Sequence, residues 1–195
     1  MKTDPHQLQI DTVEAPAGAP FATVHVVTDG NCLCSVDFAG YEERMHRLLK
    51  RRYGAYQLTE RSDPCGASSR MRAYFAGKLD ALDELGVRTG GTEFQASAWL
   101  ALRAVPAGTT ATYRQQAARV GRPAAVRAIG AANGQNPLAI VLPCHRVVGM
   151  DGRLTGYAGG LATKDWLLRH EARHAVRHDL ELAGQGYCAN QRDTD

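Results

Sequence analysis

The 195-residue sequence lacks any uninterrupted apolar stretch of the ~18 residues a membrane span requires, and its start, MKTDPHQLQIDT, has no apolar core of the kind a secretion signal needs. Those absences point to a cytoplasmic protein with no membrane partner. Charge of one sign is also missing: 23 Lys and Arg face 20 Asp and Glu, a net +3 that permits a nucleic-acid partner without demanding one. Cysteine is scarce and poorly arranged for cross-linking. Cys32, Cys34, Cys65, Cys144 and Cys188 form an odd, irregularly spaced set, which argues against a disulfide framework and leaves room for a working thiol. What is present, 44% hydrophobic and 22% charged residues, is the composition of a globular chain able to bury a core, as one domain or two small ones.

After the polar start, FATVHVVTDGNCLCSVDF reads as paired strands over residues 22 to 38, turning at Asp29-Gly30. YEERMHRLLKRRYG places Tyr41, Met45, Leu48 and Leu49 on one helical face and stops at Gly54. A second helix is expected through SSRMRAYFAGKLDALDEL, with Met71, Tyr74, Phe75, Leu79 and Leu82 as its apolar stripe. The Gly-rich GVRTGGT at 86–92 is the best candidate boundary. These features divide the chain into an N-terminal unit (1–90), a C-terminal unit (91–178) and a tail (179–195) expected to be mobile, with the front half of the last stretch, HAVRHDLELAGQGYCANQRDTD, continuing the helix.

Beyond the boundary the helices are short. EFQASAWLALRAV is stopped by Pro106-Ala107-Gly108, Thr112-Tyr113-Arg114-Gln115 forms a capping box, and Gly121-Arg122-Pro123 ends one helix and starts the next. Two short helices joined so tightly have the dimensions of a helix-turn-helix or of ordinary helical packing, and these residues alone fit both. The second helix, PAAVRAIGAANG, carries Arg127 as its only charge among Ala125, Ala128, Gly130 and other small residues, so its backbone can approach a groove closely. Asn136-Pro137 closes it, and an apolar strand from Leu138 to Leu142 is expected to deliver Cys144.

A cysteine is a nucleophile only as thiolate, so Cys144 would need a base or a positive neighbour, and His145 and Arg146 follow it directly. Adjacency is equally compatible with a structural cysteine, because successive side chains of an extended segment face opposite ways. The longer strings decide. EFQASAWLALRAVPAGTTATYRQQAARVGRPAAVRAIGAANGQNP and LPCHRVVGMDGRLTGYAGGLATKDWLLRHE, in a match that spans roughly residues 92 to 172 and includes Pro143-Cys144-His145-Arg146, resemble the O6-alkylguanine-DNA alkyltransferases, or methylated-DNA–protein-cysteine methyltransferases.

That resemblance implies an α+β protein with an N-terminal strand-and-helix, ribonuclease H-like unit and a C-terminal winged helix-turn-helix. It implies Cys144 as alkyl acceptor, His145 as the base that takes its proton through a water, Glu171 as the carboxylate orienting that base, and Asn136 beside the site. Tyr113 becomes the hydroxyl near the target base and phosphate, Arg127 the side chain that fills the stack when the base flips out, and Ala125, Ala128 and Gly130 the small residues of the DNA helix. Pro143, Arg146, Val147, Tyr157 and Ala158 fall around the guanine pocket, where some relatives carry serine at the position of Ala158. The implied reaction is stoichiometric transfer of an alkyl group from guanine O6, with thymine O4 as a second target, to one sulfur. No cofactor is implied, and the partner is double-stranded DNA bound by a monomer through its minor groove, with room for cooperative loading.

Two rivals share the sequence. His170-Glu171-Ala172-Arg173-His174 fits the zinc-hydrolase pattern H-E-x-x-H, but its extended form wants glycine and histidine where Arg177 and Leu180 stand. No metal is therefore assigned, although Cys32, Cys34 and Cys65 with a histidine could make a structural zinc site. The second rival is a lesion sensor or helix-turn-helix regulator without chemistry. The sensors that resemble this family replace the acceptor cysteine, and Cys144 favours the enzyme.

Overall fold

The computed structural model describes residues 4–186, with side chains described through residue 175. Of the tail expected to be mobile, 179–195, residues 187–195 with Cys188 lie outside the described residues, while the backbone of 179–186 is helical and continues the preceding helix through Gly186. The fold is mixed α+β.

Four strands form the larger sheet, with Leu33–Phe38 at one edge, then Thr23–Thr28, His6–Glu14 and Tyr56–Glu60. The expected hairpin is present as β2 (Thr23–Thr28) and β3 (Leu33–Phe38), antiparallel and joined through Asp29, whose Oδ1 accepts from the amides of Asn31 (3.1 Å) and Cys32 (2.8 Å). The polar start is not a loop. It forms β1 (His6–Glu14), an inner strand paired antiparallel with β2 and parallel with β4 (Tyr56–Glu60). Only Leu8 and Val13 of β1 are fully buried, so it carries no alternating pattern, and its place is set by the partners on both sides.

Helix α1 (Glu42–Tyr53) buries Met45 and Leu49 as expected, with basic residues in its last turn. Helix α2 (Ala67–Phe75) is shorter than the periodicity predicts. The chain turns at Gly77 (φ +104°), where a Cβ would lie 2.2 Å from the His174 ring, so no side chain fits where a continuing helix would put one. Ala81, Leu82 and Leu85 reach the core from turns instead.

The start of the 86–92 segment, residues 86–88, runs along the outer edge of β3. Leu33 donates to Gly86 O (2.8 Å) and Arg88 donates to Leu33 O (2.9 Å). Further along that edge Val36 donates to Pro137 O (2.8 Å) and accepts from Ala139 (3.1 Å), so the strand's outer polar groups are paired by two separate segments, one after α2 and one just before Cys144. One continuous core runs from Val13, Val24, Val36 and Phe38 through Trp99 and Leu102 to Leu138, Val147 and Leu167.

Helix α3 (Glu93–Leu100) is followed by a 3-10 turn (Ala101–Ala104), β5 (Ala111–Thr112), α4 (Tyr113–Arg119) and α5 (Val126–Gly134). The capping box is made: Thr112 Oγ1 accepts from Gln115 N (3.2 Å) while Gln115 Oε1 accepts from Thr112 N (2.7 Å). Helix α5 begins at Val126 rather than Pro123, because residues 122–125 close a turn of their own through Ala125 N to Arg122 O (2.8 Å). The expected strand at Leu138–Leu142 is instead a buried turn: Ile140 takes a left-handed φ of +69° and Leu142 donates to Leu138 O (2.9 Å). An apolar run buried on all sides shows no period, so strand and turn read alike in sequence. The turn leads into the 3-10 turn Cys144–Arg146, then β6 (Val147–Val148), parallel to β5, and finally α6 (Leu161–Gly186). No helix among the described residues is long and apolar enough to cross a membrane.

Candidate active site

Cys144 opens the 3-10 turn with 6% of its surface exposed. Burial pushes its thiol pKa up, opposed by the Asn136 amide and by the positive charges of Lys164 and Arg44. Asn136 reaches it directly. Its Nδ2 donates to Cys144 Sγ (3.2 Å) and to Leu142 O (2.7 Å), while its Oδ1 accepts from Leu138 N (3.0 Å), so one buried side chain ties both ends of the 138–142 turn to the sulfur. The partly buried rings of Tyr113 and Tyr157 pack against the same core cluster as Cys144.

His145 has no exposed surface, and its Nε2 meets Glu171 Oε1 at 2.8 Å. Burial drives the imidazole pKa down against the pull of Glu171, whereas His145 and Arg146 hold Glu171 well below the usual carboxylate range despite its burial. An ionised carboxylate only accepts, so Nε2 carries the ring proton of the neutral tautomer. That leaves the Nδ1 lone pair free, and Nδ1 is a buried nitrogen with no hydrogen-bond partner among the described residues. Arg146 turns its guanidinium to Glu171 through Nε (2.9 Å to Oε2) and Nη2 (2.9 Å to Oε1) and donates through Nη1 to Val105 O (2.6 Å). The Tyr74 hydroxyl (2.7 Å) and Gly108 N (3.2 Å) complete the carboxylate's donors.

The other expected pocket residues surround this pair. Pro143 and Val147 are buried, and the half-buried Tyr157 ring stands edge-on to His145 (centroids 6.5 Å) and Phe38 (6.1 Å), next to half-buried Ala158. The Tyr113 hydroxyl accepts from Thr155 Oγ1 (3.1 Å), and its ring edge lies 3.9 Å from where a Cβ on Gly130 would sit. On α5, Arg127, Ala128 and Ala131 are exposed and Gly130 is half-buried, and in the turn that leads into it Ala124 is exposed and Ala125 half-buried. The result is an open helical face of small side chains around one guanidinium.

Three features escaped sequence reasoning. Lys164 is buried on α6, where its Nζ donates to Val147 O (2.6 Å) and Thr155 O (2.8 Å) and so ties the 149–160 loop to the site. Its signal, a lysine on the apolar side of a helix, could not name carbonyl partners on separate loops. Gln116 and Asn133 exchange reciprocal amide bonds (2.7 and 3.1 Å) that lock α4 to α5. The third was legible: between Glu93 and Asp151 there is no acidic residue, while Arg114, Arg119, Arg122 and Arg127 all stand exposed on the α4–α5 unit. The modest net charge conceals a strongly basic segment.

The H-E-x-x-H residues are engaged elsewhere. Glu171 serves His145 and Arg146, His170 donates to Tyr74 O (3.0 Å) and stacks on Trp166, and His174 donates to His170 O (2.9 Å). A hollow of about 430 Å³ between α1 and α3 and another of about 770 Å³ beside Gly108 are not lined by Cys144.

Comparison with known proteins covers the segment that holds these residues. A family model described as 6-O-methylguanine DNA methyltransferase, DNA binding domain, matches residues 93–173. The methylated-DNA–protein-cysteine methyltransferase of Salmonella typhimurium is 47% identical over 162 residues, 82% of this chain and 95% of the relative. The enzyme of that name from Methanosarcina barkeri is 51% identical over 105 residues, 54% of this chain and 66% of the relative. Among solved structures, the Mycobacterium tuberculosis O6-methylguanine methyltransferase superposes with a TM-score of 0.69 at 32% identity, covering 86% of this chain and 94% of that one. A structure of the Mycobacterium tuberculosis protein in complex with DNA matches with the same TM-score, identity and coverage. With near full-length identity to a relative of this name and a matching fold, the chain belongs to the methylated-DNA–protein-cysteine methyltransferase family.

Proposed function

We propose that this protein repairs double-stranded DNA by direct reversal, moving a methyl or larger alkyl group from guanine O6 to Cys144, once per protein molecule. The observation that carries this reading is the sulfur's setting: Asn136 Nδ2 at 3.2 Å, and in the next residue a histidine with Nε2 committed to Glu171 and Nδ1 unpartnered. Residues 91–178 serve as the winged helix-turn-helix unit that meets DNA and houses the thiol, and residues 1–90 as the ribonuclease H-like supporting unit.

The chemistry follows from the proton inventory. At rest Cys144 is a thiol, because burial disfavours its charge. Neutral His145 takes that proton at Nδ1 through a water, and the resulting imidazolium is stabilised by Glu171. The thiolate attacks the alkyl carbon, the S–C bond forms as the C–O6 bond breaks, and the electron pair departs with guanine. The Tyr113 hydroxyl, 3.1 Å from Thr155 Oγ1, donates a proton to guanine N3, which lets the base leave neutral. The product is a thioether, beyond reversal by ordinary hydrolysis. Because O6 lies inside the duplex, the nucleotide must first leave the stack at a cost of a few kcal/mol, which Arg127 offsets by entering the gap.

The test mixes the protein with an oligonucleotide containing O6-methylguanine and measures intact mass and the peptide bearing Cys144. One added methyl, about 14 mass units, saturating at one per protein, is expected. Cys144→Ala should bind the oligonucleotide and gain no mass. Transfer that survives in this variant would move the acceptor elsewhere, and tight binding by the wild type without a mass change would make the protein a lesion sensor.

A further inference from the structure

Arg44 lies far from the motifs that carry the family resemblance, yet its guanidinium ends beside the active-site asparagine. It projects from α1 onto Asp37 of β3, a carboxylate with 1% of its side-chain surface exposed, and forms a close ion pair with it. Its other arm, Nη2, donates to Asn136 O (2.7 Å) and lies within 3.4 Å of Gly134 O. These are carbonyls at and just beyond the C-terminal end of α5, which a helix leaves without internal donors and where positive charge is favoured.

We propose that Arg44, held by Asp37, is a positioning residue for the alkyl acceptor: it fixes the main chain of Asn136 from outside so that the Asn136 amide stays on the Cys144 sulfur. The chain of contacts is short. Asp37 aims the guanidinium, the guanidinium holds the Asn136 carbonyl, and the amide of the same residue donates to Sγ at 3.2 Å. β3 supports the same backbone one residue on, where Val36 donates to Pro137 O (2.8 Å). A buried ion pair adds little net stability over an apolar pair of the same volume, so stability alone does not account for this one. Placement does, because a misalignment of about 1 Å at a reacting centre costs on the order of a hundredfold in rate. The N-terminal unit thus acts on the thiol, and through the end of α5 on the helix that carries Arg127.

The inference rests on Cys144 being the acceptor, and its test reads the thiol separately from DNA repair. Two variants are compared with the wild type. Arg44→Lys keeps the charge opposite Asp37, but its ammonium cannot reproduce the planar fork that spans a carboxylate and a carbonyl. Asp37→Asn/Arg44→Gln removes both charges together and strands neither. The readouts are the single-turnover rate on the methylated oligonucleotide, the pH dependence of Cys144 alkylation by iodoacetamide, followed on its own peptide, and the melting temperature.

Both variants should fold and transfer methyl at least about tenfold more slowly, and their iodoacetamide profiles should move to higher pH. The double variant should move further, since it also loses the Arg44 cation. The other groups around the sulfur remain in place: Lys164 and Glu171 from α6, His145 and Arg146 from its own turn, and Tyr157 from the loop. A lowered melting temperature with unchanged thiol profile and transfer rate would overturn the proposal and leave Arg44 a structural tie. Should the double variant not fold, Arg44→Lys decides by the same readouts. A wild type that accepts no methyl but alkylates normally with iodoacetamide would sink the proposed repair activity, while the effect of Arg44 on the thiol would still be read.

Discussion

Glu171 holds four separate donors with two oxygens: His145 Nε2, the Arg146 fork, the Tyr74 hydroxyl and Gly108 N. The carboxylate sets the histidine tautomer and neutralises the buried Arg146, so its charge matters more than its shape. Glu171→Gln keeps the shape and loses the charge. Leaving Arg146 buried without its counter-ion should cost about 3 kcal/mol or more of stability. Transfer should also slow by about a hundredfold or more, because the imidazolium formed at His145 loses its stabilising anion. Urea unfolding and single-turnover assays measure the two separately, and a stability loss under about 1 kcal/mol would show that the charge is not needed there. The pairing of Glu171 with His145 was legible through the family motif. Its partners Tyr74 and Gly108 stand 97 and 63 positions away, and no local pattern connects residues so distant. Gly108 shows why the local fit matters: its φ is +76°, and a Cβ there would lie 2.7 Å from that of Ala175 on α6.

The α4–α5 pair was legible as elements, because capping, glycine and proline punctuation are local chemistry, and its start was misplaced by three residues where the 122–125 turn intervenes. What the punctuation could not give was the rigidity, which comes from the Gln116–Asn133 exchange across the two helices. That lock matters for the open face of α5, where Ala128 and Ala131, with Ala124 in the turn before the helix, keep the surface low around Arg127. If Arg127 fills the vacated stack, Arg127→Ala should slow transfer from duplex at least about tenfold, yet leave reaction with free O6-benzylguanine base near the wild-type rate, since only the duplex pays for an extrahelical nucleotide. Equal losses on both substrates would remove its stacking role. The exposed arginines at 114, 119, 122 and 127 also set an electrostatic expectation. With Arg114, Arg119 and Arg122 on phosphates, log K should fall against log salt with a slope of about −3, and binding indifferent to salt would contradict a backbone-dominated interface.

At the scale of the whole molecule, the N-terminal sheet and the C-terminal helices share one core, and β3 holds both residues 86–88 and the 137–139 segment on its edge. The glycine-rich segment therefore reads as a boundary in composition while its backbone is hydrogen-bonded to the sheet, a long-range pairing that sequence texture does not report. The same core encloses titratable groups in fixed states, which ties stability to pH. His145 and His170 are held neutral by burial, below their ordinary value of 6.5. As pH falls through 6.5 the unfolded chain takes up protons that the folded one refuses, so stability declines, by at most about 1.4 kcal/mol per pH unit for each histidine. Glu171, held below its ordinary 4.5, contributes fully above that value and loses its contribution as pH drops beneath it. On the alkaline side the signs reverse. Burial raises Cys144 above its ordinary 9.0 and Cys34 to about 11, so above pH 9 the unfolded chain releases protons that the folded one retains, and stability falls again. Melting temperature should therefore be highest between about pH 7 and 8.5 and decline on both sides. His170→Phe retains an aromatic ring against Trp166 and should shallow the fall between pH 6.5 and 5, whereas an identical slope in this variant would assign the acid loss to other groups.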